Sequence, residues 1–154
     1  MTGNDTRDVT AAIADFTESV PAADIPEGVI ERAKIHVLDS LGLALAGSVS
    51  DAARIVREDI AAQGLGDAGT REQGSSIFGT SLWAPPRFAA FANATAIHAD
   101  NFDDTTPQVR ADRTGGIHAS GAVLPVALAV GEVRGSTTRS RRGTTGTDFT
   151  LPAR

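Results

Sequence analysis

Apolar residues recur along this chain at helical rather than strand spacing. Val9, Ala12, Ile13, Phe16 and Val20 fall on one stripe, with Asp8, Asp15 and Glu18 off it, and Pro21 stops the pattern. The spacing predicts a helix over 8–20. A second start signal follows. Asp24 is a candidate cap, Pro26 lies early in the first turn, and Glu27 stands three residues after Asp24, as in a capping box. The helix predicted from there runs to about Gly47 and carries Ile30, Val37, Leu38, Leu41 and Leu45. Its second half, LDSLGLALAG, is apolar nearly all round and is expected to be buried, with Gly42 and Ala44 suited to close helix–helix contact. Residues 51–63 put Ala52, Ile55, Val56 and Ile60 on one face, and Gly64 is the stop.

GLGDAGTREQGSS reads as a loop, and the run from Ser76 to Gly79 as a short extended piece. Pro85 and Pro86 open a helix with Phe88, Phe91, Ala92 and Thr95 on its stripe, reaching about His98. DNFDDTTPQVRADRTGG reads as a polar loop. Residues 120–132 make a last apolar helix with Ser120 as candidate cap, in which Pro125 is tolerable only in the first turn or at a kink. Beyond that, STTRSRRGTTGTDFTLPAR has no apolar period and is rich in Thr, Arg and Gly. The expected division is a helical domain over 1–134 and a disordered tail over 135–154. The expected fold class is all-α, with any strand confined to pieces such as 76–78.

Composition narrows the chemistry. The 154 residues suffice for one domain with a real core. There is no cysteine, hence no disulfide framework, thiolate nucleophile or Cys-based zinc site. There is no tyrosine, and Lys34 is the only lysine. The net charge of −5 argues against nucleic-acid binding, which wants a basic face. The longest apolar stretches, 37–46 and 122–130, are too short for a membrane span, and the N-terminus has no signal-peptide pattern. A cytoplasmic protein is the expectation.

The remaining polar chemistry is concentrated between His98 and His118. HADNFDDT offers His98, Asp100, Asn101, Asp103, Asp104 and Thr105 within eight residues. Crowded carboxylates repel, and a carboxyl group able to exchange a proton near neutrality suits proton abstraction or elimination. The plain alternative is a solvated acidic loop whose aspartates cap turns. A metal reading also exists: on a helix, Asp100, Asp103 and Asp104 would share a face and hold Mg²⁺ through oxygen. His118 lies before a predicted helix N-terminus, whose free N–H groups favour an anion such as a substrate carboxylate. His36 reads as structural, and Asp39 as a satisfied buried carboxylate.

Four stretches resemble the N-terminal part of the MmgE/PrpD family of 2-methylcitrate dehydratases, cis-aconitate decarboxylases and iminodisuccinate epimerases. They are IPEGVIERAKIHVLDSLGLALAGS (25–48), GSSIFGT (74–80), RFAAFANATAIHADNFDDT (87–105) and GGIHASGAVLPVALAVGE (115–132). The resemblance implies a large helical domain followed by an α/β lid domain, with the active site between them, in a homodimer with no cofactor or metal. It implies proton transfer next to a carboxylate of a small polycarboxylate, giving dehydration, decarboxylation or epimerisation. The family's catalytic histidine falls on His118 and its site threonine on Thr105. Asn101 stands where the family has an aspartate, and Asn cannot act as a base; Asp100 is beside it. His98, Asp100, Asn101, Asp103 and Asp104 are the expected substrate-binding residues. The stretch from Thr105 to His118 is longer than in the decarboxylase branch. Family chains are several times longer, and the tail after Gly135 is expected to be the product of a reading-frame shift. The lid is expected to be absent and the chain inactive by itself. The alternative is a non-catalytic helical remnant that self-associates.

Overall fold

The computed structural model describes residues 8–66, 74–110 and 113–135, and side chains within them except at 106–115. Of the expected tail, 135–154, all but Gly135 lies outside the described residues. Among the described residues the fold is mostly helical, with two small two-stranded sheets. It divides into two units, Met1–Ile35 and His36–Arg154.

The first unit holds α1 (Val9–Ser19) and the start of α2 (Glu27–Gly47). Asp8 caps α1, its carboxylate accepting the N–H groups of Thr10 and Ala11 at 3.0 and 3.2 Å. The apolar stripe is present, but Val9, Ile13 and Phe16 are all exposed. Ala22–Asp24 make a 3₁₀ turn, and the Pro26 carbonyl accepts the first helical bonds of α2, from Val29 and Ile30.

In the second unit, the later part of α2 buries only Ser40, Ala44 and Gly47. Leu38 is 75% and Leu45 58% exposed, and Asp39 is exposed, so neither the buried helix half nor the buried Asp39 is observed. The reason is that one side of α2 meets the rest of the unit while the other meets solvent. Gly42 is not a helix contact: a Cβ there would meet nothing within 4 Å. The close approach is at Gly47, where a Cβ would run into the Ala96 carbonyl oxygen.

Ser50 caps α3 (Asp51–Ala62), accepting the Ala53 N–H at 3.2 Å, and Gly64 follows its end at φ 70°. The buried face is Ala53 and Ile60, with Val56 partly covered, one position round from the expected face; Ile55 is exposed. β1 (Ser75–Ser76) pairs antiparallel with β2 (Trp83–Ala84). Ile60, Ile77, Ala84, Ala89 and Ala92 form a core, surrounded by Val56, Leu65, Leu82 and Phe88. α4 (Pro86–His98) packs on α3 and on α5 (Ala119–Arg134). Buried Asn93 ties α4 to the β1 turn by accepting from the Phe78 N–H and donating to the Ser76 carbonyl, both at 2.9 Å. Glu132 ties α5 to the same strand through the Ser76 N–H and hydroxyl at 2.8 and 2.6 Å.

The expected polar loop after Asp104 is instead a hairpin. β3 (Thr106–Arg110) pairs antiparallel with β4 (Arg113–Ile117), from Thr106↔Ile117 to Arg110↔Arg113. A polar two-stranded ribbon needs no apolar alternation, and Pro107 is tolerated where a strand edge is unpaired, so the pattern hid it. α5 starts at His118 as N-cap, not Ser120, and buried Pro125 sits in its second turn. Gly135, at φ 62°, closes it. Among the described residues, no helix is long and apolar enough to cross a membrane.

Candidate functional site

Three pieces of backbone converge where α4 ends and α5 begins. His98 is the last residue of α4, and His118 the N-cap of α5. Between them the chain turns through Asn101, a non-glycine residue at φ 56°, a conformation asparagine tolerates better than most. This turn sends Asp103 inward, where its side chain is 1% exposed.

Asp103 stands against both imidazoles. Its Oδ1 lies 2.9 Å from His98 Nδ1, in hydrogen-bond geometry, and 3.2 Å from His118 Nδ1. The second pair is at ion-pair distance but not aligned as a hydrogen bond. His118 Nδ1 and Asp103 Oδ2 are therefore both buried without a hydrogen-bond partner among the described residues. The two rings meet edge to face, centroids 4.9 Å apart. Burying a carboxylate is costly unless it is paired, and these histidines are the partners it has. Gly121 makes the room, since a Cβ there would lie 2.8 Å from Asp103 Oδ2.

Asp104 faces the other way. Its Oδ1 accepts the Ser120 N–H at 3.2 Å, placing a negative charge at the N-terminus of α5. Its Oδ2 lies 4.0 Å from His36 Nδ1. One N–H donor expected to be free for a substrate carboxylate is thus already taken by the protein. His36, read as structural, stands at the edge of this cluster; nothing in its spacing on α2 marks it out.

The hairpin brings Thr105 and His118 to either side of its first rung, Thr106↔Ile117. Gly116 leaves space for Thr105, whose Cγ2 would lie 2.5 Å from a Cβ there. The structure thus gathers His98, Asp103, Asp104 and His118, with Thr105 at the hairpin base. Asp100 and Asn101 are exposed on the turn. The oxygen-ligand metal reading fails, because α4 ends at His98 and Asp100, Asp103 and Asp104 share no helix face. Among the described residues, the groups whose ligand atoms do lie together, within 4.8 Å of one another, are His98, Asp103 and His118.

The sequence model of the MmgE/PrpD N-terminal domain matches residues 11–149, running past the 134/135 boundary read from the sequence. Cis-aconitate decarboxylase of Mus musculus is 30% identical over 127 residues, covering 82% of this chain and 23% of that protein. Cis-aconitate decarboxylase of Homo sapiens is also 30% identical over 127 residues, covering 82% and 24%. A cis-aconitate decarboxylase-like protein of Aspergillus oryzae is 28% identical over 126 residues, again covering 82% and 24%. The chain spans about a quarter of the length of these relatives.

Proposed function

Because the chain belongs to the MmgE/PrpD family, we propose that it carries the histidine–aspartate part of a lyase- or isomerase-type site acting on a small polycarboxylate. The reaction is proton transfer next to a substrate carboxylate, leading to dehydration, decarboxylation or epimerisation. The observation that carries this reading is the buried Asp103 held between His98 and His118 at the start of α5. His118 Nδ1 is buried and faces Asp103, which leaves Nε2 to meet substrate. In this role His118 is the general acid or base, Thr105 positions the substrate, and Asp103 orients the imidazole and stabilises it when protonated. His98 and Asp104 shape the wall, and Asp100 and Asn101 reach substrate only from the exposed turn. In a polypeptide of full family length carrying this segment, His118→Ala should lower kcat by at least the ~10²-fold typical of general acid–base catalysis. Unchanged turnover would refute the assignment.

A second reading has its own support. Pro86, Arg87, Ala90, Phe91 and Ala94 of α4 face Ala122, Val126 and Val130 of α5 across an apolar groove of about 500 Å³. Phe91 is 59% and Val126 53% exposed. Such a surface suits association of helical copies, as in a homodimer or a non-catalytic remnant. Sedimentation showing a concentration-dependent mass in the absence of turnover would favour it; a monomer at all concentrations would remove it.

A further inference from the structure

Resting on the second reading above, we propose that the groove between α4 and α5 takes α1 of a second copy of this chain. Three residues lining the groove, Ala90, Ala94 and Ala122, are small and leave room for larger side chains, while Phe91 and Val126 stand exposed beside them. α1 offers large apolar side chains in the order a groove reads them. Val9, Ile13 and Phe16 stand at i, i+4 and i+7 on one face, and all three are more than half exposed. The lengths agree. At ~1.5 Å per helical residue, Val9 to Phe16 spans about 10 Å and Ala122 to Val130 about 12 Å.

Charge selects α1 among the apolar surfaces of the chain. Arg87 is the charged residue among those lining the groove, its guanidinium 4.5 Å from the centre of the Phe88 ring, and Arg134 follows one turn after Val130 on α5. α1 with its cap carries Asp8, Asp15 and Glu18 and no basic residue. Opposite charges beside an apolar contact steer the encounter and fix its register. The exposed Ile35 and Leu38 of α2 stand among charges of both signs, Glu31, Arg32, Lys34 and Asp39, and give no such match. Residues 136–154 offer Phe149 and Leu151, which are not at helical spacing, and Arg139, Arg141 and Arg142, whose charge repeats that of Arg87.

Exchanged between two copies, the contact is made twice and closes at a dimer, which leaves neither the α1 stripe nor the groove of either copy open to solvent. It involves none of His98, Asp103 and His118, so it stands apart from the proposed proton-transfer centre.

The experiment uses the 154-residue chain and reads its mass by sedimentation velocity over a range of concentrations. The expected parent is a dimer in equilibrium with monomer. Phe16→Asp on α1 and Val126→Asp in the groove should each raise the dimer dissociation constant by more than ~10-fold, as loss of an interface anchor does. Leu38→Asp, at an exposed apolar position of α2, should leave it unchanged. The decisive readout is a mixture. A Phe16→Asp chain keeps its groove and a Val126→Asp chain keeps its α1, so together they should form a heterodimer through one sound contact at concentrations where each alone is monomeric. Far-UV circular dichroism checks that each variant is folded, and Phe91→Asp, at an exposed position, takes over if Val126→Asp fails to fold. A chain monomeric at all concentrations would overturn both this proposal and the second reading, as would association unmoved by either variant. Association weakened by Val126→Asp but not by Phe16→Asp, association lost equally with Leu38→Asp, or a mixture that stays monomeric would overturn α1 as the occupant and leave the second reading standing.

Discussion

Substituting Gly121 by alanine tests whether the space for Asp103 is as tight as the geometry makes it. Gly121 is the third residue of α5 and is buried. A Cβ there would lie 2.8 Å from Asp103 Oδ2 and 3.4 Å from Ile97 Cγ2. The Ile97 contact is tolerable with a small shift. The Asp103 contact is not, because its carboxylate is held at 2.9 Å by His98 and is buried. Overfilling a packed site costs about 1–3 kcal/mol. Alanine returns up to about 1 kcal/mol of helix propensity. The net expectation is a loss of about 1–2 kcal/mol, seen in urea as a midpoint lowered by roughly 0.5–1 M. Gly42→Ala on α2 is the control: an added Cβ there meets nothing within 4 Å, so the variant should gain up to about 1 kcal/mol. The cause is isolated by a double-mutant cycle with Asp103→Ala. Once the carboxylate is gone, the Gly121→Ala penalty should shrink by at least about 1 kcal/mol. A Gly121→Ala protein as stable as the parent, or a penalty that persists in the Asp103→Ala background, would refute the reasoning.

Asn93→Ala removes both bonds from α4 to the β1 turn and strands the Phe78 N–H and the Ser76 carbonyl, so urea unfolding should show a loss of about 2–4 kcal/mol. The 154 residues assayed by themselves on cis-aconitate or 2-methylcitrate should show negligible turnover by a product assay, because the groups of an active site act as a unit and an open site loses preorganisation; robust turnover would show that the His118 cluster is sufficient.

The helices were legible because apolar period and local stop signals agree. Gly47, Gly64 and Gly135 close three of them, and Ser50 caps a fourth boundary. What could not be read was which side of each helix meets a neighbour. LDSLGLALAG is apolar all round, so its pattern carries no direction, and the structure covers Ser40 and Ala44 while leaving Leu38 and Leu45 wet. Gly42 and Gly47 look alike on paper, yet only Gly47 abuts a backbone. At the site, the residue types between His98 and His118 marked out the stretch in which the structure brings Asp103 and the two histidines together. The division of labour between two adjacent aspartates was not legible: Asp103 turns in to the imidazoles while Asp104 bonds α5, and that depends on the turn at Asn101.

The hairpin explains how a long polar excursion can lie inside such a site without disordering it. His98 and His118 are twenty positions apart, and a loop of that length would leave the second histidine poorly placed relative to the first. Pairing of Thr106 with Ile117 closes the excursion at its base, so the geometry of Thr105 and His118 is set by one rung rather than by everything beyond it. Residues added at the Arg110↔Arg113 end extend the ribbon away from that rung, and the entropic cost of lengthening such a closure grows only slowly. A stretch longer than in the decarboxylase branch, as the resemblance leads one to expect, would therefore be compatible with an unmoved His118. The hairpin separates two requirements: its base fixes the histidine against Asp103, and its far end can vary without disturbing that contact.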